Sequence, residues 1–80
     1  MNTVTILYFG LLKEEAGVTE ETISTELTTV SALYHNRATE HEISFPENSL
    51  KFARNEVFCD QHERINHGDT VAFMPPMAGG

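Results

Sequence analysis

The sequence predicts a small α+β domain, and three observations carry that expectation. Two β-branched and aromatic runs near the start, Thr3–Phe9 and Glu21–Leu27, alternate with period two, and shorter runs of the same kind recur in the last third. Between them Val30, Leu33, Tyr34, Arg37, Ala38 and His41 fall at helical spacing. The chain has 80 residues, enough for one domain with a thin core and too few for two.

In the first run Val4, Ile6 and Tyr8 share one face, while Thr3, Thr5, Leu7 and Phe9 share the other. The half-polar character of the second set turns the first set inward. Gly10 breaks the strand, and Leu11–Ala16 forms a short helical turn closed by Gly17. The second strand sets Thr22, Ser24 and Glu26 against Ile23, Thr25 and Leu27, antiparallel to the first. Thr28 or Thr29 supplies the oxygen that caps the main helix. Pro46 and Asn48 mark a loop. Leu50–Arg54 is a third strand, Asn55-Glu56 a tight turn, and Val57-Phe58-Cys59 the return strand. Ile65–Asp69 turns the chain into a final strand, Thr70–Met74, with Val71 and Phe73 inward and Met74 outward.

Composition removes several function classes. Twelve acidic against five basic side chains give a net charge of −7. Nucleic acid and anionic membrane are therefore excluded as partners, since both need clustered lysine and arginine. The charge fits a basic partner surface, and simple solubility equally well. A single cysteine, Cys59, excludes an internal disulfide and fits a reducing cytoplasm; its expected role is that of a small buried hydrophobe. No apolar run spans a bilayer and no signal peptide opens the chain. His35, His41, His62 and His67 lack metal-ligand spacing, so no metal site is expected. Glu14-Glu15 and Glu20-Glu21 read as solvated turns.

The end of the chain is the most informative segment. Pro75-Pro76 cannot donate ladder hydrogen bonds, so the pair ends the last strand and holds the exit extended. Met77, Ala78, Gly79 and Gly80 follow, and an extended Pro75–Gly80 reaches roughly 20 Å beyond the body. The organisation expected is a domain over 1–74 and a flexible tail over 75–80, slim enough at Gly79 and Gly80 to enter a narrow channel. Phe9, Phe58 and Met74, all turned away from the core, form a candidate apolar partner face.

The stretch Gly68-Asp69-Thr70-Val71-Ala72-Phe73-Met74-Pro75-Pro76-Met77-Ala78-Gly79-Gly80 resembles the ending of the small, sulfur-carrier subunits of molybdopterin synthase. Ile6–Glu14 and Phe52–Phe58 match the same family, whereas Tyr34–Ser49 matches it poorly and is short. The resemblance implies a β-grasp (ubiquitin-like) fold, in which a small mixed sheet packs on one main helix in the order β-β-α-β-β-β. It implies that Gly80 is the reacting residue, a co-substrate rather than a catalyst. A free carboxylate is a poor electrophile, so a partner must first convert it to an acyl adenylate. With no Gly-rich phosphate loop in this chain, the ATP for that step belongs to the partner, and no cofactor is expected here. Sulfur then replaces AMP, and the Gly80 thiocarboxylate delivers it to cyclic pyranopterin monophosphate, building the molybdopterin dithiolene.

The implied partners are the synthase large subunit, a ubiquitin-activating-like adenylyltransferase, and a sulfur donor of desulfurase or rhodanese-like type. The family docks its partners through an apolar sheet face beside the tail. Lys13 stands where relatives are basic and either pairs with a partner carboxylate or is simply solvated. Rival readings are a carrier for thiamine thiazole or cysteine synthesis, a ubiquitin-like protein modifier, and an interaction domain with an inert tail. Phe73–Pro76 separates the first of these, because those carriers generally lack that run.

Overall fold

A computed structural model describes residues 1–76. Its elements are β1 (Asn2–Tyr8), α1 (Leu11–Ala16), β2 (Glu20–Thr25), α2 (Val30–His41), a 3-10 turn at Glu47–Ser49, β3 (Lys51–Arg54), β4 (Val57–Cys59) and β5 (Thr70–Met74). The strands form one sheet in the order β2-β1-β5-β3-β4. β1 and β5 run parallel in the middle, and every other pair is antiparallel. With α2 as the main helix, this is the ubiquitin-like β-grasp arrangement expected from the sequence.

Period-two alternation decides which face is buried. Val4, Ile6 and Tyr8 of β1 and Val71 and Phe73 of β5 are all 1% exposed or less. They meet Val30, Leu33 and Tyr34 of α2 in one core cluster. Phe73 is its aromatic hub, edge-on to Tyr8, Tyr34 and Phe52 at centroid distances of 5.7, 5.1 and 5.7 Å. The cap of α2 is Thr29, whose Oγ1 accepts from the Ala32 N–H at 3.2 Å. Glu42 ends that helix in the left-handed region, its N–H donating to the Ala38 carbonyl. The stretch Tyr34–Ser49, which resembles the family poorly, thus completes α2 and crosses to β3, and Tyr34 Oη ties it down by donating to the Phe45 carbonyl. Burial, reinforced by Glu15 and Glu47, pushes the Tyr34 hydroxyl up to about 12, so it stays protonated as a donor.

Two expectations need correction. β2 ends at Thr25 rather than Leu27, because the Leu27 N–H turns back to Thr25 Oγ1 at 3.1 Å and leaves the ladder. The acidic pairs are not all solvated. Glu21 sits on β2 and accepts from Tyr8 Oη, Arg37 and His41. Glu15 accepts from the Ser44 N–H and hydroxyl at 2.8 and 2.7 Å. In both cases the partners lie far along the chain, where local pattern cannot reveal them.

The Gly68-Asp69 pair shapes the entry to β5. Gly68 adopts φ +87°, and buried Asp69 accepts from Asn66 N–H at 2.7 Å, Asn55 Nδ2 at 2.9 Å and Arg54 at 3.2 Å. Burial alone would raise its pKa, but these hydrogen bonds and the Arg54 charge outweigh it and hold the carboxyl below the ordinary aspartate range. A depressed carboxyl stabilises the fold above its unfolded pKa of about 4, and that stability is lost as pH falls through the folded value. Asp69→Asn is therefore expected to lower stability at neutral pH by about 1–2 kcal/mol. It should also flatten the acid limb of a melting-temperature profile below about pH 4. An acid limb identical to the parent's would show that this charge does not hold the turn.

Candidate functional site: an open apolar face at the exit of the last strand

The sheet has one face under α2 and one face open. Ladder partners point their side chains the same way, so the register fixes the composition of the open face. Leu7 pairs with Ala72, Ala72 with Ala53, and Ala53 with Phe58, which carries one row straight across β1, β5, β3 and β4. Small alanines hold the middle of that row and larger side chains hold its ends. The result is a groove of about 290 Å³ lined by Leu7, Phe9, Phe58, Ala72 and Met74, with Ala53, Thr70 and Glu56 completing it.

Phe9, Phe58 and Met74, singled out in the sequence, are thus brought together. Phe58 is 72% exposed and Phe9 46% exposed, a large apolar surface for so small a protein. Val57 is exposed as well, although its β-alternation partner Cys59 packs against the core. Leu7, Ala53 and Ala72 were not singled out, yet the same period-two count that turned Met74 outward places them on this face. Lys13 lies exposed on α1 and is not among the residues lining the groove.

The groove opens where β5 leaves the sheet. The Phe9 N–H donates to the Phe73 carbonyl at 3.2 Å, extending the pairing of β1 and β5 to the last turn before Pro75. Gly10 follows with φ +56°, and a Cβ there would stand 2.8 Å from Pro75 Cγ. The absent side chain lets the proline ring seat against the β1–α1 junction, so the exit begins flush with the body. Pro75 is half-buried and Pro76 exposed. Met77, Ala78, Gly79 and Gly80, most of the tail expected over 75–80, lie outside the described residues.

The rest of the surface offers no competing chemistry among the described residues. No group of three or more His, Cys, Asp and Glu side chains gathers to hold a metal. No helix is long and apolar enough to cross a membrane. Cys59 is half-buried; burial, then Glu63 and Asp60, raises its thiol pKa, the reverse of what a nucleophile needs.

A β-grasp domain with an apolar face at the exit of its last strand defines a ubiquitin-like protein. The chain belongs to the ThiS family, whose model matches residues 6–80. It is 26% identical to the molybdopterin synthase sulfur carrier subunit of Escherichia coli (strain K12) over 80 residues, 96% of this chain and 99% of that protein. Small archaeal modifier protein 1 of Haloferax volcanii has the same fold, with a TM-score of 0.80 at 20% identity over 96% of this chain and all of that one. So does a chain in the complex of subunits 1 and 2 of the Helicobacter pylori molybdopterin-converting factor, with a TM-score of 0.66 at 19% identity over 98% of this chain and 99% of that one.

Proposed function

We propose that this chain is the sulfur-carrying small subunit of a molybdopterin synthase. The observation that carries the reading is the ending itself. Gly68–Gly80 follows the Gly-Asp…Phe-Xaa-Pro-Pro-Xaa-Xaa-Gly-Gly pattern, and its first half folds as the strand that borders the apolar groove. The near full-length likeness to the E. coli carrier subunit supports the same reading.

In this reading the Gly80 carboxylate is adenylated by a partner with ATP. Sulfur from a donor displaces AMP, and the thiocarboxylate passes its sulfur to cyclic pyranopterin monophosphate on the large subunit. This chain contributes presentation rather than catalysis. Phe9, Phe58 and Met74 dock on the partner, Pro75 and Pro76 aim the tail, and Met77, Ala78 and Gly79 reach inward. The H. pylori complex of subunits 1 and 2 supports a large subunit as the partner. Closed twofold symmetry, the commonest oligomeric arrangement, would give a heterotetramer with two large subunits at the centre.

The test is a titration of product against thiocarboxylated carrier with the large subunit of the same organism, run beside a thiazole-forming assay. Two carriers should be consumed for each molybdopterin, because a dithiolene holds two sulfurs and each Gly80 delivers one. Sulfur delivered only to the thiazole precursor would move the protein to the thiamine pathway. Isopeptide products on target lysines, with no sulfur transfer, would make it a modifier.

A further inference from the structure

Glu56 breaks a local rule, and nothing else among the described residues accounts for it. The two residues between β3 and β4 are Asn55 at φ +52° and Glu56 at φ +71°, both left-handed. Such two-residue turns favour asparagine first and glycine second, because a side chain at the second position is strained. Asn55 has its own structural reason. Its Oδ1 accepts from the Thr70 N–H and its Nδ2 donates to Asp69, each at 2.9 Å. Glu56 has no comparable tie. The ion pairs among the described residues join Arg54 to Glu63 and Asp69, Arg37 and His41 to Glu21, and His35 to Glu47. Glu56 is also the one charged residue lining the apolar groove.

We infer that Glu56 is the charge anchor of the docking face, pairing with a lysine or arginine of the large subunit at the edge of the apolar contact; this rests on the proposed function above. Strain kept at a surface position, with no internal partner to repay it, marks a residue whose gain comes elsewhere. In the free protein Glu56 is exposed to solvent. Docking over Leu7, Phe58 and Met74 removes that water, so a facing cation turns a desolvation cost into an attraction. A partner without the cation would strand a buried charge, which makes Glu56 a selectivity element as well. The net charge of −7 steers the same encounter at longer range.

The experiment uses the full chain, its Glu56→Gly, Glu56→Gln and Phe58→Asp variants, and the large subunit of the same organism. Calorimetry at low and high salt gives Kd, and thermal melts give Tm. Glu56→Gly should melt about 4 °C or more above the parent, since the strain is relieved. Both Glu56 variants should bind about tenfold more weakly than the parent at low salt, with a flatter salt dependence. Glu56→Gln binding with the parent's Kd and salt slope, while Phe58→Asp fails to bind, would overturn the anchor and leave the docking face standing. Parent-like binding by Phe58→Asp would overturn both. Weakening by Glu56→Gly alone would mean that the turn's backbone matters and the charge does not.

Discussion

Adding one residue after Gly80, or deleting Gly80, is expected to abolish molybdopterin formation without changing the melting temperature. Among the described residues the core closes at Val71 and Phe73 and the ladder ends at Met74, so the body is expected to fold without the terminus. Under the proposed function, however, the reacting group must arrive at one point in the adenylating partner and again in the large subunit. Displacing a reacting atom by about 1 Å can cost about 100-fold in rate, and one residue shifts it by roughly 3.5 Å. Activity in a reconstituted synthase retained by a carrier with a residue fused after Gly80 would sink the carrier reading.

Two aspartate substitutions on adjacent elements should have opposite consequences. Val71→Asp places a carboxylate at a position that is 0% exposed, ringed by Ile6 and the α2 core. An unpaired buried charge costs several kcal/mol, against a total stability of about 4–12 kcal/mol for a domain of this length. The variant should be largely unfolded. Phe58→Asp changes a side chain that is 72% exposed in the free protein, so the melting temperature should move by only a few degrees. Its loss should appear in binding, at least tenfold for both the large subunit and the activating enzyme, because the charge enters a contact that must dehydrate. Met74→Asp should behave like Phe58→Asp. If circular dichroism shows Phe58→Asp unfolding as fully as Val71→Asp, the assignment of the two sheet faces is wrong.

Most of the architecture was legible because alternation and turn chemistry are local. Val4, Ile6 and Tyr8 announced the inward face of β1, and Asn55-Glu56 announced the turn between β3 and β4. What local pattern could not supply was partnership across the sheet. Ala53 and Ala72 look unremarkable in sequence, yet side by side on neighbouring strands they form the floor of the groove. Glu21 reads as a surface acid until the sheet sets it over Tyr8 and α2 brings Arg37 and His41 to it. The β-grasp fold came from resemblance to a known family rather than from periodicity, and the parallel pairing of β1 with β5 came only from the structure. Thr5 and Thr70 are neighbours in space but lie at opposite ends of the chain.

That central position of β5 also decides what the domain needs before it can fold. β5 comes last of the five described strands, yet it occupies the middle of the sheet, and without it β1–β2 and β3–β4 are two separate hairpins. Isolated hairpins are marginal in water, so a nascent chain stalled before Thr70 has nothing stable to fold into. The groove depends on the same event, since Ala72 and Met74 are part of it. A chain that stops before Thr70 therefore presents no such groove. The sheet and its open face are completed in one event, by the strand that leads into Pro75-Pro76.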